Sequence, residues 1–167
     1  MALQKKICML GAFAVGKTSL VRRYVDSIFS DRYLTTVGVK IDKRMVTVSA
    51  AEVSLILWDI AGEDEISQVR TSYVRGAAGY LLVADGTRPA TIDVAQSIQQ
   101  RMEAEVGKLP FVVLLNKRDL QSLWSVSAED IAALQRAGWT VRMTSAHSGE
   151  GVEQAFQTLA ERVTSHP

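Results

Sequence analysis

Near the N-terminus, Gly11-Ala12-Phe13-Ala14-Val15-Gly16-Lys17-Thr18 sets glycine, four residues, glycine, lysine and a hydroxyl residue in that order. This is the spacing of a phosphate-binding loop. Gly16 permits a close turn, and successive backbone N–H groups from Phe13 to Thr18 then converge on an anion at a helix N-terminus. Lys17 would neutralise charge shared by β- and γ-phosphates, and the Thr18 hydroxyl would bind Mg²⁺. A second chemical stretch, Asn116-Lys117-Arg118-Asp119, follows the apolar run Phe111–Leu115. A carboxylate in such a strand-end loop can accept from both N1–H and the 2-amino group of guanine. Adenine lacks that donor pair, so Asp119 would select the base; taken alone, the four residues also fit a solvated polar turn.

The first stretch has a rival reading as an export signal. Lys5 and Lys6 precede the run from Ile7 to Val15, and Ala12-Phe13-Ala14 loosely resembles a cleavage site. Gly11 interrupts that run, and cleavage there would destroy the pairing of lysine with hydroxyl.

Composition narrows the class. At 167 residues the chain suits one domain with a real core. Its 47% hydrophobic and 22% charged residues are ordinary for a soluble globular protein, and a formal charge of +1 gives no reason to expect nucleic-acid or anionic-membrane binding. The single cysteine, Cys8, allows no intramolecular disulfide, which fits a reducing cytosol. No apolar run reaches the roughly eighteen residues of a membrane span. The last residues, Val163 to Pro167, contain no cysteine, so a prenyl anchor is not encoded there.

The elements that must position these groups alternate. After the strand Ile7–Leu10, the residues Leu20, Val21, Tyr24, Val25 and Ile28 form one apolar helix face. Val39 to Ser49 and Val53 to Ile60 predict two strands around a tight turn near Ala50 and Ala51. Ile66, Val69 and Tyr73 mark a short helix, and Tyr80–Ala84 a strand covered on both faces. Pro89 opens a helix carrying Ile92, Ala95, Ile98, Met102 and Val106 towards the core. Ser127 with Asp130 reads as a helix cap and Gly138 as that helix's stop. Trp139 to Met143 predicts a last strand; Val152, Phe156, Leu159 and Val163 form the seam of a final helix. This alternation implies an α/β fold, its mostly parallel sheet covered by helices on both faces, with ligands bound beyond the carboxyl ends of the strands.

The phosphate loop, Asp59-Ile60-Ala61-Gly62 and Asn116–Asp119 stand in the order and spacing of small Ras-like GTPases, and the resemblance covers nearly the whole chain. It is closest to the Rab-type branch through Tyr33-Leu34-Thr35-Thr36-Val37-Gly38-Val39, Trp58–Gly62 and Ser72-Tyr73-Val74-Arg75-Gly76-Ala77. Thr144-Ser145-Ala146 resembles the family's last guanine-contacting loop. The resemblance implies a P-loop NTPase fold over residues 1–167, with a six-stranded sheet, one antiparallel edge strand and about five helices. It implies that Thr18 and Thr36 are hydroxyl ligands of Mg²⁺, with Asp59 holding the ion through a water. Thr36 and the Gly62 N–H would sense the γ-phosphate, so that its loss releases both loops. Ser19 would reach the α-phosphate, and Phe29 would pack across the guanine. Lys117 would lie along the base, and the Ala146 N–H would meet the guanine oxygen. Trp58 reads as core packing.

Three residues depart from the family. Glu63 stands where relatives carry the glutamine that orients the attacking water. A carboxylate can only accept, and facing an anionic phosphate at about 4 Å costs roughly 1–4 kcal/mol; a Glu63 acting as base is the counter-reading. Phe13 occupies a position usually small, where a benzyl group would crowd the γ-phosphate or an inserted arginine, or else swing outward harmlessly. His147 replaces the usual lysine after Ser145-Ala146 and could still pack on the sugar or base.

The expectation is therefore a monomeric, cytoplasmic switch that binds GTP and GDP with Mg²⁺ and hydrolyses GTP slowly unaided. Lys17, Thr36, Gly62 and Glu63 would carry the chemistry. Effector, exchange factor and activating protein would meet loops 29–39 and 61–75. Glu63 and Phe13 leave open an interaction module that holds GTP without turning it over. An adenine-nucleotide enzyme is opposed by Asp119.

Overall fold

The run Ile7-Cys8-Met9-Leu10 is apolar at every position, and the fold explains why. It lies in β1 (Leu3–Gly11), which pairs in parallel with β3 (Ala51–Ile60) on one side and β4 (Gly79–Asp85) on the other. A central parallel strand has both faces covered, so neither set of alternating side chains reaches water. A computed structural model of the chain describes residues 3–26, 39–60 and 71–165.

Among the described residues the sheet has six strands in the order β2-β3-β1-β4-β5-β6, where β2 is Val39–Val48, β5 is Phe111–Asn116 and β6 is Val141–Met143. Only the edge strand β2 runs antiparallel. Among the described residues five α-helices flank it: α1 (Lys17–Asp26), α2 (Thr71–Val74), α3 (Ala90–Val106), α4 (Ala128–Arg136) and α5 (Val152–Ser165). On one face Ile7, Met9, Leu57, Leu81 and Leu114 pack with Leu20 and Tyr24 of α1 and Phe156 and Leu159 of α5. On the other, Cys8, Leu10, Tyr80, Leu82 and Leu115 pack with Ile92, Ile98 and Met102 of α3 and Leu134 of α4. Each fully buried large side chain contributes about 1.5–3 kcal/mol. Among the described residues no helix is long and apolar enough to cross a membrane.

The expected cap of α4 is a complete capping box: Asp130 N–H donates to Ser127 Oγ, and Ser127 N–H donates to the Asp130 carboxylate, both at 3.0 Å. Gly138, at φ 92°, ends that helix; its N–H bonds to Gln135 O and the next N–H, of Trp139, to Leu134 O. That second bond shortens the following strand. Trp139 belongs to the helix stop, so β6 begins at Val141 rather than at Trp139.

The β2–β3 turn also lies one residue earlier than expected. Ser49 (φ 49°) and Ala50 (φ 67°) are its two central residues, and Val48 pairs with Ala51. Two successive positive φ values suit the right-handed twist of a two-residue hairpin, but neither residue is the glycine or asparagine that usually announces one. Ile28, Ile66 and Val69 lie outside the described residues.

Candidate functional site

Among the described residues, the loops that carry the candidate chemistry leave the carboxyl ends of parallel strands. β1 delivers Gly11–Thr18, β3 delivers Asp59, β5 delivers Asn116–Asp119, and the segment after β6 delivers Ser145–His147. Gly11 begins the departure at φ 153°, where a Cβ would lie 2.3 Å from the Val83 carbonyl oxygen on β4. A side chain there would push the loop off the sheet.

The loop is held by its carbonyls. Lys17 Nζ, buried, donates to Gly11 O at 3.2 Å and Ala12 O at 3.1 Å. Arg88 Nη2 donates to Phe13 O at 2.8 Å, Asn116 Nδ2 to Val15 O at 3.0 Å, and the Leu20 N–H to Gly16 O at 2.9 Å. In a planar trans peptide the N–H points opposite the C=O. Fixing the Phe13 and Val15 carbonyls from outside therefore turns the Ala14 and Gly16 N–H groups to the other side. Peptide N–H groups turned this way, beside the Lys17 ammonium, form a concavity that suits an anion.

Thr18, in the first turn of α1, donates its hydroxyl to Asp59 Oδ2 at 2.6 Å. Both residues are buried beside Lys17. Paired hard oxygen donors next to a phosphate cradle fit Mg²⁺, which takes few protein ligands and otherwise uses water and phosphate oxygens. Thr36, the expected second hydroxyl, lies outside the described residues.

The cluster around Asn116–Asp119, the expected base end, is locked side chain to side chain. Asn116, fully buried, accepts from Thr144 Oγ1 at 3.0 Å while its amide holds Val15. Asp119 Oδ1 accepts from Ser145 Oγ at 2.9 Å, and Ser145 Oγ itself accepts from the Ser148 N–H at 3.0 Å. Arg23 of α1 donates from Nε to the Ala146 carbonyl at 2.7 Å and from Nη2 to the His147 carbonyl. The 146–147 backbone is thereby pinned to the helix that begins in the phosphate loop. His147 Nδ1 is 3.9 Å from Asp119 Oδ2, an ion pair only when the imidazole is protonated.

A buried carboxylate missed in the sequence connects the two ends. Asp85, 1% exposed at the end of β4, lies opposite Asn116 in the sheet register. Its Oδ1 accepts from the Thr87 N–H (2.8 Å) and hydroxyl (2.6 Å). Its Oδ2 takes Lys117 Nζ (2.9 Å) and Arg88 Nε (3.0 Å). Burial alone would raise its pKa, but the donors from Thr87, Lys117 and Arg88 outweigh burial and hold the carboxyl below the usual carboxylate range. An acid terminating an otherwise apolar strand, followed by Thr87 and Arg88, was the signal that could have marked it.

The structure gathers Phe13 to Ser19, Asp59, Asn116, Lys117, Asp119, Ser145, Ala146 and His147 at this one end of the sheet. Phe13 is half exposed. Phe29, Thr36, Gly62 and Glu63 lie outside the described residues. Trp58 is only half-buried and does more than fill the core: Lys6 Nζ sits 3.6 Å from its ring centroid and donates to Arg75 O at 2.8 Å.

Comparison with known proteins agrees with this geometry. The pattern of the Ras family matches residues 6–165. Ras-related protein Rab-13 of Canis lupus familiaris is 33% identical over 163 residues, 95% of this chain and 79% of that protein. RabJ of Dictyostelium discoideum is 32% identical over 165 residues (97% and 64%). Rab-7L1 of Rattus norvegicus is 33% identical over 171 residues (96% and 82%).

Proposed function

This chain belongs to the Ras family of GTP-binding switch proteins, and on that premise we propose that it binds GTP and GDP at the site above and hydrolyses GTP slowly when unaided. What carries the reading is one convergence: a carbonyl-pinned phosphate loop, the Thr18–Asp59 pair and a fixed Asp119 carboxylate stand at the same end of the sheet, beyond β1, β3 and β5.

In this reading Asp119 accepts from the guanine N1–H and 2-amino groups, Lys117 lies along the base, and the Ala146 N–H meets the guanine oxygen. The N–H groups of residues 13–18 and Lys17 take the phosphates, and Ser19 reaches the α-phosphate. Thr18, Thr36 and, through water, Asp59 hold Mg²⁺. When bound there, Mg²⁺ would supply positive charge to the β- and γ-phosphoryl oxygens. Gly62 and Thr36 would report the γ-phosphate, and Glu63 would stand in the role of orienting the attacking water. A carboxylate there repels the γ-phosphate and cannot donate to it, which slows the in-line step. Phe13, half exposed, would crowd the space that an arginine from an activating protein would use. Loops 29–39 and 61–75 present the nucleotide state to effectors and regulators; the hairpin between them exposes Ile41 and Met45. A cytoplasmic monomer is the working state, with no nucleic-acid partner.

Phosphate release under saturating GTP tests the rate. Turnover near or below the roughly 10⁻⁴ s⁻¹ of unassisted relatives is expected, with a rise in Glu63→Gln; a fall in that variant would make Glu63 a working base. The second reading, a module that holds GTP without turnover, draws on the same two residues. Bound nucleotide after purification separates them: mostly GDP fits the switch, persistent GTP the module.

A further inference from the structure

Arg88 belongs to none of the sequence motifs, yet its guanidinium bridges the two ends of the site. Nε donates to Asp85 Oδ2 at 3.0 Å and Nη2 to the Phe13 carbonyl at 2.8 Å. The carboxylate it rests on is itself immobilised by Thr87 and by Lys117 Nζ at 2.9 Å. A planar fork can grip a carboxylate and a carbonyl at once without losing its geometry. The peptide it reaches, Phe13–Ala14, leads into a residue at φ 62°, the left-handed region that alanine rarely occupies. Such a conformation persists where surrounding contacts over-determine it. Arg88 is the contact on the Phe13 side.

We propose that Arg88 is a positioning residue for the phosphates. It holds the Phe13–Ala14 peptide so that the Ala14 N–H faces them, and it ties that peptide to Lys117 through Asp85. The proposal rests on the guanine-nucleotide reading of the site and names the group served: the phosphate chain of a nucleoside di- or triphosphate, not the base.

The test compares the unaltered chain with Arg88→Ala and Arg88→Lys in Mg²⁺ buffer. It follows release of labelled GDP and of inosine diphosphate, which lacks the 2-amino group, together with the amide resonance of Ala14. In the unaltered chain GDP should move the Ala14 N–H downfield, as a phosphate hydrogen bond requires. In Arg88→Ala that shift should vanish and GDP release should quicken about tenfold, the loss of one charge-assisted bond. The preference for GDP over inosine diphosphate should stay within about twofold. Arg88→Lys should fall between, because a point charge cannot reproduce the fork. Release unchanged within about twofold, a surviving Ala14 shift, or a collapsed base preference would each overturn the proposal. A chain that holds neither GDP nor inosine diphosphate would overturn the site reading and the proposal with it, which is distinct from a chain that holds both and ignores Arg88.

Discussion

At the base end of the site, Asn116 and Asp119 are fixed by the hydroxyls of Thr144 and Ser145. At the phosphate end, Lys17, Arg88 and Asn116 grip main-chain carbonyls instead. The first arrangement places side-chain oxygens, which are what can read a donor pattern on a base. The second places peptide planes, whose N–H groups every non-proline residue supplies. The cradle therefore depends on backbone conformation, with Val15 buried in the core and Ala14 held at φ 62°, whereas on the proposed reading Asp119 acts through its side chain. On the proposed reading specificity and affinity should be separable in this molecule, and substitutions should divide along that line.

The largest effect is expected at Asp119. Asp119→Asn removes an ionised acceptor for two guanine donors, about 3 kcal/mol or more, so GDP affinity should fall at least about a hundredfold. The amide can instead donate to the 2-oxo group of xanthine, so xanthosine diphosphate should compete better against the variant than against the unaltered chain. Competition against labelled nucleotide reads both changes. If GDP and xanthosine diphosphate weaken equally, the base end does not read through that side chain.

Asp85→Asn should come next, because that carboxylate serves both ends. It leaves Lys117 and Arg88 facing a neutral amide, and about 2–3 kcal/mol of folding stability should be lost in denaturant unfolding near pH 7. The pH dependence has a definite sign. A carboxyl whose folded pKa lies below its unfolded value stabilises the fold above the unfolded value of about 3.9 and loses that contribution as pH falls through the folded pKa. Asp85 is such a group. The gap between the unaltered chain and Asp85→Asn should therefore be full at neutral pH and close only below about pH 4. A gap that closes between pH 5 and 7 would point to another group.

Much of this was legible in the sequence, for reasons that differ by residue. Gly11–Thr18 and Asn116–Asp119 each act as one local loop, so their spacing alone carries the chemistry. The buried strands were readable because a strand covered on both faces must be apolar throughout. Asp85 and Arg88 were not readable, because their partners are distant in sequence: Asp85 meets Lys117 only through the register of β4 on β5. The Ser49–Ala50 turn was hidden because its positive φ values fall on residues without a compositional signal. The roles of Thr36, Gly62 and Glu63 came from the family resemblance, since nothing in their composition alone marks them.

Thr18→Ala should have a smaller effect and locate it at the phosphate end. It removes the hydroxyl that pairs with Asp59 at 2.6 Å and, on the proposed reading, one oxygen ligand for Mg²⁺. GDP release in excess Mg²⁺ should quicken about tenfold, one such bond. Release in chelator should change little, so the Mg²⁺ dependence should shrink. A variant equally fast in both buffers relative to the unaltered chain would place Thr18 outside the metal's reach.

The finest cut between the two ends comes from Ser145→Ala. Ser145 Oγ donates to Asp119 Oδ1 at 2.9 Å and accepts from the Ser148 N–H at 3.0 Å, so it sets the orientation of the carboxylate without supplying its charge. Alanine keeps the acceptor and frees its rotation, a loss of about 1 kcal/mol or roughly fivefold in GDP affinity. Guanine uses both oxygens through two donors, whereas inosine diphosphate offers only the N1–H. A rotated carboxylate therefore loses more with guanine, and the preference for GDP should narrow in Ser145→Ala while remaining intact in Arg88→Ala. Equal weakening of the two nucleotides by both variants would mean that the ends are not separable, because loosening either would then relax the whole site.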